Sequence, residues 1–320
     1  TEVADPATGV GVAVGVQHGD PPTHSPPASA TTPSPPVAVL RKVCGGCPLR
    51  ARFQTARSDE WPARIDDAKR SRVGSRRVGI RTVYELQAGE RMVRVRTTFD
   101  NPSRDHRLRT MIPLPSTATS SRADCAFAVP ERGLRSEGGP HERELPTHPA
   151  KRFVQAGGAT VVVDGVTEYE VINGGKMLAL TLLRASAMLS RVEMNYRPQP
   201  AGPANVLRGS QMLGPVEANY AIAMGDVDPF ALADDFLVPF ELTIAPGGGP
   251  GESCGQALAI DGAELSAVRR VPGGGEVPLG NRAAGRRKHR DRRRPRRPSV
   301  ALPRPADIRR RGPRRGGCRR

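Results

Sequence analysis

The sequence predicts an all-β protein, a large antiparallel β-sandwich followed by a disordered basic tail, and three observations carry that prediction. Apolar and polar residues alternate with a period of two over many short segments. In the clearest of these, Val93, Val95, Thr97 and Phe99 alternate with Arg94, Arg96 and Thr98. Gly 35 and Pro 32 in 320 residues, with 37% hydrophobic and 4% aromatic residues, fit a turn-rich chain with some unfolded sequence. Only one stretch has a strong helix start, so strands follow strands, which argues for antiparallel layers.

Residues 1–36 read as a partial β segment and a Pro-rich stretch. Two short Val/Gly-rich strands fall within 1–18, and residues 20–36 (DPPTHSPPASATTPSPP) lie extended, because proline cannot serve a central strand. The β-sandwich region spans 37–276. Within it, residues 64–73 read as a short helix or a ragged loop. Residues 78–86, the turn at Ala88-Gly89 and residues 91–99 form a hairpin. Asp100-Asn101-Pro102-Ser103 is a turn, since Asn and Asp close local hydrogen bonds and Pro fixes φ. With the strand 106–114 after it, the pattern reads as a second, polar hairpin. Strands follow at 151–163, 166–172, 176–184 and 215–224, and Asn173-Gly174-Gly175 turns between two of them. Asp228 caps a helix, Pro229 suits its first position, and residues 230–236 supply two turns. Strands resume at 237–245 and 256–271, separated by the Gly-rich loop 246–251.

The net charge of +17 suggests a nucleic-acid binder until it is located. Residues 277–320 hold 17 Arg and one Lys against Asp291 and Asp307, which leaves the rest of the chain at +1. This Arg-rich tail has almost no apolar residues and is expected to be disordered. Two explanations compete. One is a polybasic arm for nucleic acid or an acidic surface. The other, preferred, is frame-shifted sequence, because Arg, Pro and Gly are what a G+C-rich gene yields out of frame. No apolar run is long enough to span a membrane, and the first residues lack the basic and apolar parts of a secretory signal. The chain starts with Thr rather than Met, so its start is expected to fall inside something longer or to follow trimming. Five cysteines form no regular disulfide framework. The expected location is the cytoplasm.

The segment Phe99-Asp100-Asn101 … Arg104-Asp105-His106-Arg107-Leu108-Arg109 resembles the C-terminal β-region of family-38 glycoside hydrolases, the retaining α-mannosidases, and in particular their bacterial members. The resemblance continues through 121–127 (SRADCAF), 137–140 (EGGP), Glu168-Tyr169-Glu170, 178–185 (LALTLLRA), Leu189-Ser190-Arg191 and 262–270, and covers residues 49–276. It implies a galactose-mutarotase-like sandwich that packs on an N-terminal catalytic domain and contributes to carbohydrate binding in mannose metabolism. The catalytic carboxylates and the zinc of the parent enzyme belong, by resemblance, to the part absent from this chain. The chain alone is therefore expected to be inactive and to bind no zinc. Its expected partners are that catalytic domain and an α-mannoside, with no membrane, and nucleic acid only if the tail is genuine. One departure stands out: Gly19-Asp20-Pro21-Pro22 is followed by no Tyr to line a sugar site.

His18-Gly19-Asp20 has the form of a metal pair but shows no third ligand, and zinc needs at least three. Cys44-Gly45-Gly46-Cys47 lacks the second pair of a zinc ribbon. Asp105 and His106, adjacent on a strand, point to opposite faces, which favours a turn or salt-bridge role. Glu168 and Glu170 share one face about 7 Å apart along a strand, a spacing that inverting chemistry could use, although solvated strand residues are commoner. Trp61 is the only tryptophan, which leaves a carbohydrate-binding module unsupported. By resemblance, Arg184 ends the strand whose matching arginine approaches the sugar site in the family, and Arg191 is a weaker second substrate-binding candidate. A guanidinium suits vicinal hydroxyls and carboxylates.

Overall fold

The computed structural model describes residues 49–66, 71–141, 143–190, 199 and 202–238, together with short strands at 13–17, 39–44, 264–265, 269–271, 274–277, 279–280 and 300–301. The chain divides into two compact units, Thr1–Phe240 and Glu241–Arg320. In the second unit Glu264–Leu265 pairs with Leu279–Gly280, and Gly274–Val277 pairs with both Arg269–Val271 and Val300–Ala301. The remainder of the 277–320 tail, and most of the expected strands at 237–245 and 256–271, lie outside the described residues.

The first unit is an all-antiparallel sandwich. Its strands are β1 (Ala13–Gln17), β2 (Val39–Cys44), β3 (Arg50–Asp66), β4 (Ser71–Gln87), β5 (Val93–Asn101), β6 (Arg107–Pro113), β7 (Ser121–Ala123), β8 (Glu131–Arg132), β9 (Thr147–Pro149), β10 (Phe153–Ala156), β11 (Ala159–Asp164), β12 (Glu168–Ile172), β13 (Met177–Arg184) and β14 (Gly214–Met224). Nine strands form the larger sheet in the order β2-β3-β4-β5-β14-β11-β10-β7-β8, and five form the smaller in the order β1-β6-β13-β12-β9. Trp61, Tyr84, Val95, Phe99 and Tyr220 of the larger sheet share one core with Leu108, Ile112, Tyr169, Leu178 and Leu180 of the smaller.

The expected alternation in 93–99 is present, with Val95, Thr97 and Phe99 buried and Arg96 exposed. The hairpin through Ala88-Gly89 forms as expected. The helix is α1 (Pro229–Leu237), where the Asp228 carboxylate accepts from the Phe230 N–H at 2.9 Å. It lays Leu232 and Ala233 on Phe153, Val162, Ala221 and Ala223, on the outer face of the larger sheet. The turn at Asn173-Gly174-Gly175 also forms. A Cβ on Gly175 would stand 2.0 Å from the Ala118 carbonyl oxygen, so only glycine fits.

Three expectations are corrected. Residues 64–73 contain no described helix: β3 and β4 are 17-residue strands paired from Arg50↔Gln87 to Asp66↔Ser71. Their charged outward positions mimic helix composition, but a long partner strand decides the matter. Residues 151–163 are two strands, split by a turn at Gly157-Gly158, where a Cβ on Gly157 would lie 2.3 Å from the Ser116 carbonyl oxygen.

The third correction concerns the 100–103 turn, which does not close a hairpin. β5 belongs to the larger sheet and β6 to the smaller, so the chain turns a corner between layers. Asn101 accepts from the Ser103 N–H at 3.1 Å but donates to the carbonyls of Gln211 and Met212 at 3.1 and 2.9 Å. Asp105, at φ 53°, donates its N–H to Gln211 Oε1 at 2.9 Å and accepts from Gln211 Nε2 at 2.7 Å. His106 is buried 5.1 Å from the Trp61 ring. The expected turn role of Asp105 and His106 is therefore met at a sheet-to-sheet corner.

Gln211→Ala removes two buried hydrogen bonds of this corner and is expected to cost about 1–3 kcal/mol for each group left unpaired. Urea unfolding checks this, with Gln155→Ala, which loses one half-buried bond to Thr160, as the milder reference.

Candidate functional site

β6 and β13 are buried on both faces. Leu108, Thr110 and Ile112 face the larger sheet, where the Tyr220 hydroxyl meets Thr110 Oγ1 at 3.3 Å. Arg107 and Arg109 must then point to the outer face, by the two-residue period. Glu168 and Glu170 of β12 occupy the same outer face, since Tyr169 between them packs inward against Ser121 at 2.8 Å.

The cations and carboxylates meet across β13. Arg107 Nη2 lies 2.8 Å from Glu168 Oε1 and 2.7 Å from Glu170 Oε1. Arg109 Nη1 lies 2.5 Å from Glu170 Oε2. Thr147 donates to Glu170 at 2.6 Å, Arg107 Nε donates to Thr181 Oγ1 at 2.9 Å, and that hydroxyl donates to Glu168 Oε1 at 2.9 Å. Glu168 Oε2 takes Arg184 Nη1. Arg107 is fully buried, whereas 31% of the Arg184 side chain remains exposed.

A β-bulge places Arg184 in this layer. Between Thr181 and Leu183 the pairing of β13 with β6 shifts, so that Leu183 faces Leu108 and Arg184 faces Arg107. Without the extra residue, strict alternation from Thr181 would turn Arg184 into the core.

The electrostatics settle what Glu170 can do. Burial disfavours the charged form of Glu170, but Arg107, Arg109 and the Thr147 hydroxyl outweigh it and hold this carboxyl below its ordinary value. Burial also lowers the Arg109 guanidinium to about 10, against the opposing pull of Glu170. A general acid needs a raised pKa, and Glu170 is pushed the other way. The expectation of solvated strand residues is corrected: Glu170 is buried and Glu168 is largely covered.

Arg184 thus stands where a ligand can reach it, braced from behind by Glu168. Arg191, the second substrate-binding candidate, lies outside the described residues, as do His18, Asp20 and Cys47. Among the described residues no group of three or more His, Cys, Asp or Glu is placed to hold a metal ion, so the residues in view do not fit a zinc site. Cys125 contacts Arg132 Nη2 at 3.0 Å and is not part of a disulfide. Sequence reading passed over Arg107, Arg109, Thr147 and Thr181. A signal was available: Arg at i and i+2 in one strand complements Glu at i and i+2 in another. Nothing in the sequence pairs those strands.

No protein-family profile matches the chain. A curated relative, the putative mannosylglycerate hydrolase of Halalkalibacterium halodurans, is 27% identical over 112 residues, which is 34% of this chain and 12% of that protein. Two solved structures from Enterococcus faecalis match the fold. An α-mannosidase superimposes with TM-score 0.55 at 21% identity, over 69% of this chain and 27% of its own. A glycosyl hydrolase family 38 protein superimposes with TM-score 0.66 at 20% identity, over 86% of this chain and 35% of its own. The fold is one found in family-38 glycoside hydrolases. The chain spans about a third or less of the length of these proteins. Among its described residues no helix is long and apolar enough to cross a membrane.

The ion layer makes a pH-dependent contribution to stability. The folded-state pKa of Glu170 lies below its ordinary value of 4.5, so between the two the unfolded state binds more protons and stability rises with pH. The contribution is present above 4.5 and is lost as pH falls through the folded-state value. Glu170→Gln is expected to flatten this slope by up to one proton and to cost about 3–5 kcal/mol near neutrality, because two buried guanidiniums lose a shared partner. Urea midpoints from neutrality down through the carboxylate range measure both effects.

Proposed function

We propose that this chain is the non-catalytic β-sandwich part of an α-mannosidase. In this reading it packs on a separate catalytic domain in the cytoplasm and contributes to binding the carbohydrate. The observation that carries the reading is Arg184, which ends a strand, is bulged out of the core, is held by Glu168 and keeps part of its guanidinium exposed. A planar cation fixed in this way can donate paired hydrogen bonds to vicinal hydroxyls or to an anionic substituent. Similarity in fold to an α-mannosidase and to a family-38 glycosyl hydrolase, and in sequence to a putative mannosylglycerate hydrolase, supports an α-mannoside as the ligand class.

Glu168 and Glu170 are committed to arginines, so in this reading the part of the ion layer is to bind and orient. Glu168 limits the rotation of Arg184, and the Thr181 hydroxyl and fully buried Arg107 anchor Glu168 in turn. The purified chain is expected not to hydrolyse p-nitrophenyl α-D-mannopyranoside, with or without added zinc. Zinc-dependent turnover would overturn the non-catalytic assignment. Methyl α-D-mannopyranoside is expected to shift the backbone resonances of Thr181 and Arg184. Arg184→Ala is expected to abolish those shifts and to lower the melting temperature by only a few degrees, because Glu168 keeps its pair with Arg107.

A further inference from the structure

The outer face of the larger sheet carries a second arrangement of groups suited to a ligand. A cross-strand row of Gln54, Val83, Arg96, Asn219 and Asp164 runs over β3, β4, β5, β14 and β11. Its last four members line a cleft of about 250 Å³ together with Glu85, Arg94, Val95 and Phe236 of α1, and Glu85 is paired with Arg50 and Arg52 at 3.9 and 3.8 Å.

The wall is braced. Arg94 grips both oxygens of Glu90, at 2.6 to 3.1 Å, and donates to the Asp235 carbonyl at 2.9 Å. Its guanidinium carbon lies 5.3 Å from the centre of the Phe236 ring. Arg94 is therefore already neutralised. Arg96 and Asp164 are exposed and make no ion pair or side-chain hydrogen bond among the described residues. They stand two strands apart, about 10 Å at the usual strand spacing, too far to satisfy each other directly. Asn219 lies between them and uses Nδ2 on Glu217 at 3.0 Å, which leaves its carbonyl oxygen available.

This set defines its ligand. Arg96 offers donors only, Asp164 acceptors only, and Phe236 an apolar surface. A single anion would be drawn to Arg96 but opposed by Asp164, and a cation would meet the reverse. A neutral ring with hydroxyls on its rim and C–H groups on its face satisfies all three. The volume is below the roughly 300–1,000 Å³ of drug-sized pockets and suits one such ring. We infer that the cleft beside α1 is a saccharide-binding site in which Arg96, Asn219 and Asp164 hold the hydroxyls and Phe236 packs against the ring. It goes beyond the role of Arg184, which stands on the outer face of the other sheet.

The test titrates the full chain, followed by NMR, with the methyl glycosides of α-mannose, β-glucose, β-galactose and β-xylose. At least one is expected to give saturable shifts at Arg96, Asp164 and Asn219. Asp164→Ala is expected to weaken that binding about tenfold, the loss of one hydrogen-bonded charged group. Asp164→Asn, which keeps an acceptor, should weaken it less. Arg184→Ala should leave these shifts unchanged. Absence of saturable shifts with all four glycosides would overturn the inference. So would binding that survives the Arg96→Ala/Asp164→Ala double variant with its melting temperature intact, or displacement of the sugar by inorganic phosphate. Shifts confined to Thr181 and Arg184 and lost in Arg184→Ala would leave the proposed function standing and overturn this site alone.

Discussion

The fully buried guanidinium of Arg107 is the constraint around which the smaller sheet is arranged. A cation removed from water needs opposite charge and hydrogen bonds close by. Arg107 finds them in Glu168, Glu170 and Thr181, reaching across β13 to β12. Three strands are thereby held in one register. A one-residue slip of β12 would turn both carboxylates into the apolar core and expose Tyr169. The desolvation cost offsets much of the attraction, so the layer adds little net stability compared with an apolar layer of the same shape, while its geometry suits a single register.

The corner between the sheets follows from the same economy of buried polar groups. Asn101 and Asp105 could satisfy themselves locally in a hairpin, yet both bond to the 209–212 segment more than a hundred residues away. This clasp lets the chain leave the larger sheet and enter the smaller with Trp61 and His106 packed beneath it. β6 is thus delivered with Leu108 inward and Arg107 outward.

The two outer faces are treated differently. On the smaller sheet a buried ionic layer ends at the partly exposed Arg184. On the larger sheet α1 covers the alanines and Val162, and its Phe236 stands beside a polar band. Both places display a guanidinium on a rigid strand, and rigid strands position a side chain better than loops do.

Much of the sandwich was legible in the sequence. The alternation in 93–99, the Asn173-Gly174-Gly175 turn and the Asp228-Pro229 helix start are local signals, and each element formed. Residues 64–73 and 100–114 misled because their local patterns, charged and turn-rich, suit several structures, and the partner strand chooses among them. Glu168, Glu170 and Arg184 were visible as candidates, but not as members of one cluster with Arg107 and Arg109. The sequence by itself determined the two-residue period, the turns and which residues share a strand face, because these depend on neighbours a few positions apart. Only the tertiary structure decided which sheet each strand joins, where the bulge in β13 falls and that the glutamates are buried. Those outcomes rest on contacts between residues 61 to 110 positions apart, which no local pattern encodes.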